Sequence, residues 1–407
     1  MARTPQPKPQ EAELHALSIV RDALPLIRRY DLATHPVHGN VQLHLTDTLA
    51  VLLAAFFHPT VRSLRLLECL SQMPWAQTQL TVDRVCRSTL SDAFARFDPE
   101  QLQPLIKGLM DQIPNLPRRD GPLASLCQQI MAVDGSYFTL TGEVAWALTR
   151  TKRDQNKHSL CCLNLQLEID SFTPAALTVG GPDDGSEAEA VLKHLAPGVI
   201  YLMDRNYHHC QLLRTILEHQ SDFVLRLRSH ALFTGLQDLP LNAEAVAAGV
   251  QSDRIGILPV NRNSRTGPPP HVPLRELFIT DPQTGKTIRL LTSLMDLPAH
   301  LVGHLYRQRW QVELFFRWLK VWGGMQHLLS NDKRGVTLQF YVAVIACLLM
   351  HIRTGRKVNK YMIMLMGQVA TGAVSFDQIT PILERIEREK ALARARLARK
   401  KAAKNQL

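Results

Sequence analysis

QIMAVDGSYFTL, residues 129–140, is where the chain changes character. Upstream, apolar residues recur at helical spacing. Here they alternate, as strand residues do when one face is covered. Asp134 falls inside this strand, next to Ala132 and Val133. A carboxylate in such surroundings is costly unless it binds something. Downstream, HSLCCLNLQLEID (158–170) and FTPAALTVGG (172–181) read as the next two strands. SEAEAVLKHLAPG (186–198) reads as a capped amphipathic helix ending at Gly198, and VIYLMD (199–204) as a short strand of the buried type. Three strands, a helix and a strand make a mixed α/β unit. Asp204 closes its fourth strand, where open α/β sheets bind ligands.

After a helix over about 208–220 the β signal returns. FVLRLRSH (223–230), DRIGILPV (253–260), LRELFIT (274–280) and TIRLLTSL (287–294) are separated by turn-rich stretches such as NRNSRTGPPPH (261–271). This predicts an all-β insertion over 211–299. Before the first strand, HLTDTLAVLLAAFFHPTVRSLRLLECLSQ (44–72) and VDRVCRSTLSDAFARFDPEQLQPLIKGL (82–109) are helical. Ser88 or Thr89 is the expected cap of a short helix whose outer face carries Arg84, Arg87 and Arg96. That face suits a small DNA-binding unit, or equally a helical bundle with a basic surface. PNLPRRDGP (114–122) marks a boundary. The expected segments are a helical N-terminal domain (1–120), a first core part (121–210), the insertion (211–299), a second core part (300–352) and a basic helical region (353–407).

The chain has 407 residues, 45% of them hydrophobic, and a formal net charge of +11. It is long enough for two or three cores, and its charge favours a polyanion, nucleic acid before membrane. Met1 to Glu13 is polar, and the longest apolar run, Phe340 to Met350, is too short to span a bilayer. The seven scattered cysteines include no CxxC pair, which fits reduced thiols in the cytoplasm. The tail KALARARLARKKAAKNQL (390–407) reads as a solvated basic helix or arm.

A second informative stretch is YRQRWQVELFFRWLK (306–320). On one continuous helix, Tyr306, Arg309, Glu313 and Lys320 fall within an arc of about 60°. The remaining surface is largely apolar, so the charged stripe must be paired, metal-bound or set against a charged ligand. Pairing alone would be an Arg309–Glu313 bridge four residues apart. With Asp134 and Asp204, Glu313 completes three carboxylates from two strands and a helix. That donor set suits two hard divalent cations, Mg²⁺ with Mn²⁺ as substitute, which together activate a nucleophile and stabilise a leaving oxygen at a phosphodiester. His208-His209-Cys210 and His158 with Cys161-Cys162 lack structural zinc spacing. Asp183-Asp184 belongs to a turn, and Lys152, Arg153 and Lys157 to a β-turn. There is no Walker loop, dinucleotide fingerprint or nucleophile elbow.

Tyr306, Arg309, Glu313 and Lys320, spaced three, four and seven, together with MAVDGSYF and YLMDRNY, resemble the motifs of bacterial insertion-sequence DDE transposases of the insertion-sequence-four-like group. The resemblance runs from about 128 to 350 and is weaker over RSTLSDAF (87–94). It implies a ribonuclease-H-like catalytic core interrupted by a β insertion. It also implies metal binding and catalysis by Asp134, Asp204 and Glu313, and DNA contacts from Tyr306, Arg309 and Lys320, with Arg205 and Tyr207 beside the second aspartate. The expected reaction is metal-dependent cleavage at element ends and 3′-hydroxyl strand transfer into target DNA, by a homodimer bound to terminal inverted repeats and target in the nucleoid. The competing classes are a non-catalytic DNA-binding derivative and a nuclease that does not join. Two departures matter. The residue two after the second aspartate is Asn206 instead of glycine, though Asn tolerates a left-handed turn. The insertion has no Trp on which to stack a flipped base; of Phe223, Phe233 and Phe278, Phe233 is the loop candidate.

Overall fold

A computed structural model of the chain describes residues 43–404 and position 25, apart from 59–60, 75–83, 114–122, 125, 150–157, 261–266, 282–283, 326 and 371–372. Lys152, Arg153, Lys157, Arg262, Arg265 and the boundary at 114–122 lie outside the described residues. The described elements, in order, begin with the helices α1 (Leu45–Phe57), α2 (Leu64–Ser71), α3 (Arg87–Arg96) and α4 (Gln103–Met110). Four strands follow: β1 (Gln129–Thr139), β2 (Leu148–Thr149), β3 (His158–Glu168) and β4 (Thr173–Gly180). Then come α5 (Glu187–Leu192), β5 (Val199–Met203), α6 (Cys210–Glu218), β6 (Asp222–Arg226), β7 (Thr234–Asp238) and α7 (Ala243–Ala247). The strands end with β8 (Val250–Ile257), β9 (Leu274–Thr280) and β10 (Thr287–Thr292). The last helices are α8 (Ala299–Arg307), α9 (Trp310–Arg317), α10 (Lys333–Thr354), α11 (Lys360–Ala370) and α12 (Phe376–Lys404).

The chain divides into two compact units, one of 115–317 and one of 1–114 with 318–407. The first is a mixed α/β unit. Its ten-stranded sheet runs β2-β3-β1-β5-β6-β10-β9-β8-β7, with β4 also paired to β3. β1, β3 and β4 form an antiparallel meander, while β1-β5-β6 are parallel. Strand alternation sends Met131 and Val133 into a core with Ala188 and Val191 of α5, Tyr201, Met203 and Tyr207, and Leu212, Leu213 and Ile216 of α6. Ala132 and Asp134 point to the other face of the strand. α9 packs along β1 and β3, where Phe315 meets Phe172 edge-on at 5.7 Å between ring centres.

The strands expected over 211–299 form, but they continue the core sheet through β6–β10 and β10–β9 pairing. The stretch also contains α6 and α7, so it is β-rich and not all-β. α7 arises because Asn242 accepts from Ala245 N (2.8 Å) and caps an alanine-rich run, a start signal that a period-two reading passes over. Charged residues brace this half of the sheet. Glu276, fully buried, bridges Arg254 and Arg289, and Arg275 pairs with buried Asp253 (2.5 Å).

The second unit is helical where described. α10 is buried along nearly its whole length and packs on α1, α3 and α4. It is long and apolar enough to cross a membrane, but its burial inside the unit explains that composition as core. The expected cap of α3 at Ser88 or Thr89 is not used. Cys86 holds the N-cap position without a side-chain bond, because the helix starts at Arg87. Arg84 is tied to Glu68, and Arg96 donates to the Leu43 carbonyl (2.7 Å), so two of the three arginines on that face have internal partners.

Candidate active site

Strand register brings the two aspartates together. In the parallel β1–β5 pair, Ala132 lies opposite Leu202. Two residues beyond that last pair stand Asp134 and, just past the end of β5, Asp204, close enough for Asp204 to push up the Asp134 carboxyl. Asp204 follows the last residue of β5 and accepts from Asn206 N (2.8 Å), capping a 3₁₀ turn of Arg205–Tyr207. That turn is right-handed. The left-handed conformation anticipated at Asn206 does not arise, and the described non-glycine residues with positive φ are Phe172 and Gln220.

Glu313 arrives from α9. The continuous helix expected over 306–320 is broken. α8 ends at Arg307, bonds of the i→i+3 type link Arg309 N to Tyr306 O and Val312 N to Arg309 O, and α9 gives way to a π-helical turn at Trp318–Trp322. Tightening at 308–312 sets Arg309 between the carboxylates. Its Nη1 lies 3.2 Å from Asp134 Oδ2, and its Nη2 bonds Glu313 Oε1. The four-residue bridge that spacing offered as the alternative to a metal or DNA contact therefore forms, with Asp134 as a second partner. Tyr306 is buried beneath, its ring 6.0 Å from the Arg309 guanidinium carbon. Lys320 lies in the π-helical turn, which belongs to the helical unit.

The other expected contacts divide. Arg205 is exposed. Tyr207 is completely buried in the core behind the carboxylates, so its ring has no surface to offer DNA. Phe233 packs over Gly256, and Arg254 covers its ring at 5.8 Å. Its π face is already engaged, unlike that of a free loop aromatic. Two further residues join the site. Arg226, exposed, follows Leu225, the partner of Met203, so it stands beside Asp204 on the next parallel strand. Glu187, the first residue of α5, lies over Gly135, where a Cβ would sit 3.0 Å from its Cδ. Tyr137 Oη is 3.5 Å from Glu187 Oε1. Sequence reading passed over Glu187 as one polar residue of an amphipathic helix. Its position at the start of the helix that returns to the Asp204 strand was the available signal. Trp310 is half exposed one residue from Arg309.

Burial pushes the Asp134 carboxyl up to about 6, against the pull of Arg309 and with a push from Asp204 and Glu313. Glu187 is also raised, first by burial and then by Asp204. Hard carboxylate oxygens fit a divalent cation, and Arg309 already supplies a positive charge between two of them. Among the described residues no three His, Cys, Asp or Glu are gathered closely enough to hold an ion. Arg309 stands between Asp134 and Glu313, so a cation shared by those two acids would have to displace it.

The raised Asp134 has a consequence for stability. Its folded pKa is above the unfolded value of 3.8, so the folded chain binds the extra proton between about pH 4 and 6. Stability falls as pH rises through that window. In chelator, Asp134→Asn should therefore raise the melting midpoint above pH 6, by a gain of about 1–3 kcal/mol. The difference should vanish below pH 4, and a variant without a pH-dependent gain would show that Arg309 already compensates the charge fully.

The family model described as a transposase DDE domain matches residues 125–349. The chain belongs to the DDE transposases. A putative transposase, y4zB, of Sinorhizobium fredii (strain NBRC 101917 / NGR234) is 34% identical over 263 residues, 65% of this chain and 70% of that protein. A probable transposase for insertion sequence element IS5377 of Geobacillus stearothermophilus is 26% identical over 37% of this chain and 38% of its own length. Transposase InsG for insertion sequence element IS4 of Escherichia coli (strain K12) is 26% identical over 38% of this chain and 35% of its own. The cryo-EM structure of the piggyBac transposase synaptic complex with hairpin DNA covers 93% of this chain and 82% of that one, with a TM-score of 0.42 and 12% identity. This DDE transposase is thus a metal-dependent polynucleotidyl transferase by family.

Proposed function

We propose that this transposase cuts double-stranded DNA at the terminal inverted repeats of an insertion sequence and joins the freed 3′-hydroxyl to target DNA. The observation that carries this reading is the register that sets Asp134 and Asp204 side by side, with Glu313 linked to Asp134 through Arg309. Asp134, Asp204 and Glu313 hold two Mg²⁺ ions, replaceable by Mn²⁺. When bound, the pair activates the attacking oxygen and stabilises the leaving one. Tyr306, Arg309, Glu313 and Lys320 form the Tyr-Arg-Glu-Lys signature of the insertion-sequence-four-like group. Arg309 and Lys320 grip backbone phosphates, Arg bidentately and Lys as a point charge, and exposed Arg205 and Arg226 extend that grip. Tyr207 does not touch DNA but walls the carboxylates from behind. The β1, β3, β4 and β5 strands belong to the ribonuclease-H-like core over 121–210 and 300–352, with 211–299 inserted. The N-terminal helices, 1–120, and the basic region, 353–407, add DNA contacts. Two copies assemble on paired ends, in the cytoplasm at the nucleoid.

A strand-transfer assay on linear end DNA and a supercoiled target tests the reaction. Joined products support it. Cleavage without joining leaves a nuclease, and binding without either leaves a non-catalytic derivative. Arg309→Ala and Lys320→Ala are each expected to weaken end binding and reduce the salt slope by about one. A fall in melting midpoint with unchanged DNA binding would make Arg309 purely an internal tie.

A further inference from the structure

The acids of the site differ in how they are neutralised. Asp134 and Glu313 share Arg309. Asp204 and Glu187 form no ion pair among the described residues, although Arg226 stands beside Asp204, and Glu187 lies in the field of Asp204. Glu187 is held in place from three sides. Ser186 and Glu189 cap α5 reciprocally and fix its first turn. Gly135 leaves the gap into which the carboxyl fits, since a Cβ there would stand 3.1 Å from Glu187 Oε1. Tyr137 closes the outer side through its hydroxyl. Behind the group stands the Tyr207 hydroxyl, fully buried and turned toward the Glu187 carboxyl but short of a full hydrogen bond to it. Its electrostatic neighbours are Glu187, Asp134, Asp204 and the Cys162 thiol. A buried hydroxyl donor left without a partner amid acids is costly in a finished packing arrangement. It points to oxygen-rich contents that belong in this space, such as a hydrated cation.

We propose that Glu187 is a fourth carboxylate of the metal site, serving with Asp204 the cation on the α5 side of the sheet. The inference rests on the metal-dependent reading above. On this assignment Arg309 blocks only the Asp134–Glu313 side. Asp204 and Glu187 would hold one ion without displacing Arg309, whereas Asp134 and Glu313 would be free for the other only when Arg309 turns to a phosphate. The Tyr207 hydroxyl would serve as a donor behind the first pair.

The test is Mn²⁺ titration of the full chain bound to end DNA, with free Mn²⁺ read by electron paramagnetic resonance. Glu187→Gln should weaken one of two sites by about tenfold or more, and Asp204→Asn should weaken the same site. The double variant should add little to either single one, because both remove ligands of one ion. Cleavage by Glu187→Gln should need correspondingly more Mg²⁺ and recover most of its rate when the metal is saturating. If Glu187→Gln leaves both affinities unchanged while Asp204→Asn loses one, the inference fails and the reading of the reaction stands. If the wild-type complex binds no Mn²⁺, both fail. Should Glu187→Gln not fold, Glu187→Asp keeps the charge at shorter reach. An intermediate affinity loss supports the role, and wild-type affinity overturns it.

Discussion

Alanine at Asp134, Asp204 or Glu313 lowers end cleavage and joining by more than about 1000-fold. The ions these acids hold contribute several kcal/mol of charge stabilisation, and each 1.36 kcal/mol is about a factor of ten in rate. Binding to end DNA survives, because it rests on phosphate contacts and not on the acids. The three variants should nevertheless differ in binding. Asp134→Ala and Glu313→Ala each release one of the two carboxylates that hold Arg309, freeing its guanidinium for phosphate. Both are expected to bind end DNA more tightly than wild type at low salt and to show a steeper salt slope. Asp204 has no bond to Arg309, so Asp204→Ala should keep the wild-type slope. Filter binding across a salt series measures this beside a cleavage gel. Cleavage retained in any one variant would remove that acid from the catalytic set. Identical slopes in all three would mean that Arg309 does not move between carboxylate and phosphate.

The catalytic half was legible because its signals are local. β1, β3, β4 and β5 follow from alternation and buried runs, and Asp134 and Asp204 stood out as carboxylates where apolar residues belong. Helical spacing alone showed that an Arg309–Glu313 bridge was possible, as the alternative to a stripe facing metal and DNA. What the sequence hid depends on contacts between elements. Whether a run of strands makes a separate insertion or extends the core sheet is decided by pairing, and β6–β10 pairing spans about sixty residues of chain. The break at 308–309 was invisible because a period of 3.6 residues cannot register one tightened turn. Asp134 as the second partner of Arg309 lies 175 residues away. Glu187 looked like any solvent-facing acid until α5 was laid across Gly135. Tyr207 sits in the run YLMDRNY, where sequence alone cannot separate a hydroxyl facing DNA from one turned into the core.

Arg275→Ala should destabilise the α/β unit by about 3–5 kcal/mol, the largest loss expected from a single substitution away from the carboxylates. Arg275 is almost fully buried, and its Nε and Nη2 pair with Asp253 at 2.8 and 2.5 Å. Its Nη1 reaches the carbonyls of Leu294 (3.2 Å), Met295 (3.1 Å) and Leu297 (2.5 Å). Alanine would leave a buried aspartate without its counter-charge and three carbonyls without a donor. Those carbonyls belong to the segment that leads from β10 into α8, and hence to Tyr306, Arg309 and Glu313. For a unit of this size the loss corresponds to a fall in melting midpoint of roughly 6–20 °C. Arg275→Lys should recover little, since one ammonium cannot match a planar fork that serves two carboxylate oxygens and a carbonyl cluster. Asp253→Leu combined with Arg275→Met should recover much of the lost stability, because it removes the stranded charge and replaces the pair with apolar volume. It leaves the carbonyls unserved, so that variant should fold yet cleave slowly, with a loosened approach of α8 and α9. Full activity in the double variant would confine Arg275 to stability and detach it from the placement of Glu313.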